Sequence, residues 1–107
     1  MNMRRVEFID RSRAVLAVAQ VADEGGSFGG TIDLHAAPAE LRALFEDFEE
    51  IVNGQMFVFL DEIQGKIGAL GISALFDDGL EADIKDLQVF PSTGDVSFRL
   101  AGVPAPL

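Results

Sequence analysis

The sequence predicts an α+β protein in which an antiparallel sheet of about six strands packs against one long helix, either straight or kinked. Three observations predict it: short alternating apolar segments near the start, a long central segment with helical periodicity, and further alternating segments near the end. The expected order is β-β-β-α-β-β-β. We assign residues 1–101 to a single α+β domain and residues 102–107 to a loose C-terminal tail.

The first half of the sheet follows from three segments. Residues 5–9 alternate, with Val6 and Phe8 on one face. Residues 14–22 are small or β-branched on both faces, which indicates a strand covered on both sides or facing another subunit. After glycine-containing residues 23–27, the segment 28–35 again alternates and is predicted to be the third strand.

The helix is predicted from its apolar period. Apolar residues at 41, 45, 48, 52, 56, 59, 63, 67 and 70 are on average 3.6 residues apart, so we expect one helix over residues 39–70, bent at Gly54. The alternative ends the first helix near Val52, makes residues 56–60 a strand, and places a short helix after it.

The second half of the sheet is predicted from residues 72–76, 80–89 and 96–100. Asp-Asp-Gly at 77–79 and Pro-Ser-Thr-Gly at 91–94 are turn sequences. Within 80–89 the apolar face changes side near Lys85 and Asp86, which indicates one extra residue, a β-bulge.

Charge and cysteine content exclude several classes of function. The chain carries 18 acidic and 8 basic residues, a net charge of −10, and four of the basic residues lie within the first 13 positions. Nucleic-acid binders need a basic surface, which this composition does not provide. The absence of cysteine excludes disulfides, thiolate metal sites and cysteine nucleophiles. No apolar run is long enough to span a membrane, and we expect a cytoplasmic protein.

A partner interface is predicted on the outer side of the helix. In a continuous helix Phe57 lies opposite the middle of the apolar stripe, so its ring points away from the core. The acidic residues Glu49, Glu50 and Asp61 also lie off the stripe. These four residues form the predicted interface with a second copy or with a basic protein partner.

A weaker candidate is a ligand site at Asp33, His35 and Arg99. The chain has one histidine, and it shares a predicted strand face with Asp33. No serine elbow, phosphate-binding loop, calcium-loop spacing or Glu-x-x-His pair accompanies them. We therefore expect no catalytic residues, no metal and no cofactor, while leaving a small-molecule ligand open.

Three functions follow from these observations. The first is a non-enzymatic protein-interaction module, acting as a homo-oligomer or as the binder of a basic partner. The second is a small-molecule-binding domain or small enzyme with a cleft near His35. The third is a nucleic-acid mimic or inhibitor, in which rows of carboxylates imitate phosphates.

Overall fold

Six antiparallel strands close into a barrel in the computed structural model, which describes residues 3–101. The strands run in the order β1-β2-β3-β6-β5-β4 around the barrel, and a helical segment connects β3 to β4. The elements are β1 (Arg4–Ile9), β2 (Val15–Asp23), β3 (Ser27–Asp33), α1 (Ala39–Asn53), a 3-10 turn (Phe57–Phe59), α2 (Leu60–Gly68), β4 (Ser73–Phe76), β5 (Glu81–Phe90) and β6 (Asp95–Leu100). The predicted tail, residues 102–107, lies outside the described residues.

The predicted architecture, an open sheet packed against one long helix, is wrong. The two three-strand meanders join along both edges, because β1 pairs with β4 and β3 pairs with β6. Closure satisfies the backbone groups that edge strands would otherwise expose. Alternation within a segment predicts a strand and its buried face. It carries no information about which distant edge the strand will pair with, so closure was not predicted.

The single helix over residues 39–70 is also wrong, because α1 ends at Asn53. The amide of Gln55 donates to Val52 O at 3.1 Å and the amide of Met56 donates to Ile51 O at 3.0 Å. Gln55 has a left-handed φ of 55°. These are the two hydrogen bonds and the conformation of a Schellman motif, which terminates a helix. The alternative strand over 56–60 is wrong as well, since a 3-10 turn and the start of α2 occupy it.

The helical segment covers one end of the barrel. Strands β3 and β4 are three places apart in a ring of six, so the connection between them crosses from one side to the other. Leu41 and Phe45 of α1 line the same cavity of about 10 Å³ as Phe8 and Leu16 of the barrel. Both helices bury their apolar faces in this core, which explains why the 3.6-residue period continues across the break.

Phenylalanine rings from four strands fill the barrel interior. The rings of Phe28 and Phe98 are stacked with centroids 5.3 Å apart, and Phe8 meets Phe98 edge-on at 5.4 Å. Phe76 packs against Phe28 at 5.4 Å. A narrow barrel must be filled by its own side chains, and these rings supply much of that volume.

The predicted β-bulge in β5 is confirmed. The register between β5 and β6 shifts between Lys85 and Gln88, and Asp86 has a left-handed φ of 54°. The extra residue keeps Leu87 and Val89 buried after Ile84 has faced inward.

Candidate functional site

Four consecutive apolar side chains are exposed between the two helices. Met56, Phe57, Val58 and Phe59, here called the 56–59 patch, have exposed fractions of 37%, 59%, 84% and 50%. The Schellman motif turns the chain outward after α1, and the 3-10 turn that follows buries none of its residues. Runs of exposed apolar residues are uncommon on proteins that function alone, and they mark interaction surfaces.

A shallow cavity of about 220 Å³ adjoins the 56–59 patch. Its apolar part is formed by Ile51, Met56, Phe59 and Ile63. Three exposed carboxylates, those of Asp47, Glu50 and Glu62, line the same cavity with Lys66. The Lys66 ammonium is 3.6 Å from the Glu62 carboxylate, and Asp61 is exposed in the first turn of α2. We call Asp47, Glu50 and Glu62 the acidic rim, together with Asp61, which precedes Glu62 in the chain and does not itself line the cavity.

The structure brings three of the four predicted interface residues to this surface. Phe57 is exposed, although it lies in a 3-10 turn rather than on the far side of a continuous helix. Glu50 and Asp61 belong to the acidic rim. Glu49 instead binds within the chain, since its carboxylate accepts hydrogen bonds from the backbone amide and hydroxyl of Ser92.

The predicted ligand residues do not converge. The Asp33 carboxylate accepts a hydrogen bond from the backbone amide of His35 at 2.8 Å, and His35 is exposed just beyond β3. Arg99 on β6 lies opposite Ser27, at the other end of β3. Asp33 is six residue steps along the strand from Ser27, which corresponds to about 20 Å. Arg99 lines a surface depression with Ser27 and Ser97, and neither Asp33 nor His35 contributes to it.

Most carboxylates of residues 77–86 interact with other side chains of the same chain. Asp77 and Asp78 lie 3.3 and 3.0 Å from the Arg4 guanidinium, which also stacks over the Phe76 ring. Asp83 accepts a hydrogen bond from the Ser73 hydroxyl at 3.1 Å. Among residues 3–101, no group of three His, Asp or Glu side chains is arranged to hold a metal ion.

Two exposed carboxyl groups have pKa values below their ordinary value near 3.8. Hydrogen bonds from the Ser12 hydroxyl and then from the Ala14 amide lower the pKa of Asp10. The Leu80 amide, assisted by the charge of Arg4, lowers the pKa of Asp78. Both groups stabilise turns in their ionised form, Asp10 between β1 and β2 and Asp78 between β4 and β5.

Sequence reasoning missed a cleft of about 500 Å³ beside the bulge. It lies between the β1–β2 turn, the end of α2, the start of β4 and the middle of β5. The residues that line it are Asp10, Arg11, Arg13, Gln64, Ile67, Gly68, Gly71, Ile72, Ser73, Glu81, Asp83, Ile84, Lys85, Asp86 and Leu87. The change of apolar face at Lys85-Asp86 was the one sequence signal that pointed to this place.

Comparisons with protein-family models, with curated proteins and with solved structures find no significant match. None of the helices within residues 3–101 combines the length and the apolar character needed to cross a membrane. The site geometry is therefore the basis for the functional proposals below.

Proposed function

We propose that this protein is a non-enzymatic interaction module that binds a basic, amphipathic segment of a partner protein. The observation that carries the proposal is the 56–59 patch, four adjacent exposed apolar side chains next to the acidic rim. An apolar side chain of the partner would occupy the cavity formed by Ile51, Phe59 and Ile63. Lysine or arginine side chains of the partner would meet the rim carboxylates.

Charge favours a basic partner over a second copy of this chain. The whole chain has a net charge of −10, and the carboxylates of Asp47, Glu50 and Asp61 are exposed without an ion pair among the described residues. Two copies facing each other through this surface would bring their acidic rims together, which is unfavourable. A cationic segment of a partner is attracted by the same charges.

The cysteine-free composition is compatible with a reducing compartment, and we place this interaction in the cytoplasm.

Phe57 is expected to be an energetically important contact. Truncating an aromatic hot-spot residue at the centre of an interface weakens binding by about 2 kcal/mol or more. Because Phe57 is already exposed in the free protein, its replacement removes contact area with a partner and leaves the core unchanged.

The proposal is tested with a synthetic amphipathic helical peptide of leucine and lysine, titrated into the full chain and followed by backbone amide NMR. We expect saturable shift changes between residues 47 and 66, weakened by salt. Phe57→Ser and Glu50→Lys should each weaken binding by about tenfold or more. Leu80→Ser is the matched control, because Leu80 is also exposed and apolar but lies in the β4–β5 turn.

Two results would overturn the proposal. The first is binding of the leucine–lysine peptide that Phe57→Ser leaves unchanged. The second is a dimer in sedimentation experiments that Phe57→Ser converts to monomer, which would assign the patch to self-association instead. A leucine–glutamate peptide of the same design should not bind, since it would meet the acidic rim with like charge.

A further inference from the structure

We propose that the cleft beside the β5 bulge binds a small organic anion with a single negative charge and an apolar body. The cleft is separate from the 56–59 patch, and the inference does not depend on the interaction proposed above. Its volume of about 500 Å³ lies within the range of small-molecule sites. Ile67, Ile72 and Leu87 are buried side chains that contribute its apolar wall.

Two of the three cationic side chains in the cleft form no ion pair among the described residues. Arg13 is paired with Glu81 at 2.8 Å, the Asp83 carboxylate accepts a hydrogen bond from Ser73, and the Asp10 carboxylate accepts hydrogen bonds within its own turn. The fourth carboxylate, that of Asp86, has no ion pair among the described residues. Arg11 and Lys85 have no ion pair among the described residues, although the chain has more than twice as many acidic as basic residues. Two unpaired cations in the same cleft of an acidic protein indicate an anionic ligand.

Backbone conformation indicates that charged side chains are held at this cleft at an energetic cost. Arg13 has a φ of 68° and Asp86 a φ of 54°, in the left-handed region that favours glycine. Both residues line the cleft, Arg13 in the β1–β2 turn and Asp86 in the bulge. Glycine would remove the strain at either position but would also remove the side chain. Such strain, and bulges near a barrel rim, are concentrated at functional sites.

Gly71 allows Arg11 to approach the cleft closely. A Cβ at Gly71 would lie 2.5 Å from Arg11 Nε and 2.8 Å from its Cζ, so the guanidinium rests directly on the glycine backbone. The φ of Gly71 is 65°, which also favours glycine. Arg11 therefore lies against the segment that precedes β4, and both Arg11 and Gly71 line the cleft.

The lining specifies a monoanion rather than a phosphate. Three cationic side chains face four carboxylates, those of Asp10, Glu81, Asp83 and Asp86. These carboxylates repel a dianionic group more strongly than a monoanion, so a single carboxylate paired with Arg11 or Lys85 is favoured over a phosphate. The apolar wall then accommodates a hydrocarbon or aromatic body. We therefore assign the ligand to the class of small aliphatic or aromatic carboxylates.

The test is an NMR titration of the full chain with benzoate and with hexanoate as probes, using inorganic phosphate and benzyl alcohol as controls. We expect saturable shifts for benzoate or hexanoate at residues 10–13, 71–73 and 84–87, and binding at least about tenfold weaker for both controls. Arg11→Ala and Lys85→Gln should each reduce carboxylate affinity by about tenfold. Both side chains are exposed, so the fold is expected to persist, and circular dichroism checks this.

Arg42→Ala is the matched control variant, because Arg42 is an exposed arginine on α1 without an ion pair among the described residues. It should bind both carboxylates as the unmodified chain does. The proposal is overturned if neither carboxylate gives saturable shifts at the cleft, if benzyl alcohol binds as well as benzoate, or if Arg42→Ala has the same effect as Arg11→Ala. Shifts confined to the 56–59 patch would also overturn it.

Discussion

Glu49 of α1 holds Ser92 in the turn between β5 and β6. One carboxylate oxygen accepts from the Ser92 backbone amide at 3.1 Å, and the other accepts from the Ser92 hydroxyl. The two residues are 43 positions apart in the chain. This pair of hydrogen bonds ties the helical cover to the barrel it lies across, at a turn whose own closure comes from Gly94 N donating to Phe90 O.

Replacing Glu49 with alanine is expected to lower the free energy of unfolding by about 1–2 kcal/mol, because a charged acceptor and two hydrogen bonds are lost in a half-exposed position. Urea denaturation measures the loss. Glu46→Ala is the control, since Glu46 is exposed on the same helix and accepts no hydrogen bond among the described residues. Equal losses in the two variants would contradict the role given to Glu49.

Gly30 and Gly65 should respond to alanine in opposite directions. A Cβ at Gly30 would lie 1.9 Å from the backbone oxygen of Gln20, so Gly30→Ala forces β2 and β3 apart and is expected to cost about 3 kcal/mol. A Cβ at Gly65 would meet nothing within 4 Å. Gly65→Ala in α2 is expected to stabilise the protein by about 0.5–1 kcal/mol. Thermal unfolding of the two variants checks both signs, and a destabilised Gly65→Ala would show that α2 needs flexibility there.

Gln55→Gly is expected to raise the free energy of unfolding by about 1 kcal/mol, since glycine adopts the left-handed conformation of the Schellman motif without strain. Denaturant unfolding provides the measurement. Asn53→Gly, two residues earlier and the last residue of α1, should instead destabilise by about 0.3 kcal/mol, because glycine has a lower helix propensity than asparagine. A destabilised Gln55→Gly would mean that the glutamine side chain has a role that the backbone geometry does not reveal.

Acid should remove the stabilising contribution of Asp10. Its pKa is lowered in the folded protein, so the folded state favours the ionised form, and the contribution is fully present above the ordinary value near 3.8. It is lost as the pH falls from that value through the lowered pKa. Asp10→Asn should therefore be less stable than the unmodified chain at pH 7, and the difference should shrink in acid.

Urea midpoints measured from neutral pH to pH 3 provide the comparison for Asp10→Asn. The control is Asp61→Asn, because the Asp61 carboxylate accepts no hydrogen bond among the described residues. A stability difference between Asp10→Asn and the unmodified chain that stays constant over this range would contradict the expectation.

The strand segments and turns were accessible from sequence because their signals are local. Alternation in 96–100 and the Asp-Asp-Gly turn depend only on neighbouring residues, and the structure places strands and a turn there. The bulge at Lys85-Asp86 was accessible for the same reason, since one extra residue reverses the buried face. Closure of the barrel was not accessible from sequence, because β1 pairs with β4, which follows the helical segment much later in the chain.

The favoured prediction of one helix missed the end of α1 for a different physical reason, whereas the alternative ended that helix near Val52 and placed a short helix after it, as the structure does. The Schellman motif places Gln55, rather than the adjacent Gly54, in the left-handed conformation. A glycine at position 55 would have indicated the end of the helix, but the glycine is at position 54. The 3.6-residue spacing of apolar residues also continues across the break, so it did not reveal it. Exposure of Phe57 was expected from its angle on a continuous helix. In the structure its exposure comes from the outward 3-10 turn, which sequence periodicity does not encode.

The pairing of β1 with β4 has a consequence for how the chain is made. During synthesis β1, β2 and β3 emerge first, but β1 and β3 each keep an open edge until β4 and β6 have been added. The first meander is thus an exposed template for pairing with other chains while the helices and the second meander are still being translated. Folding that depends on contacts this distant in sequence is slow compared with that of helical proteins. Any version of the chain that stops before Ser73 is expected to aggregate rather than form half of the barrel.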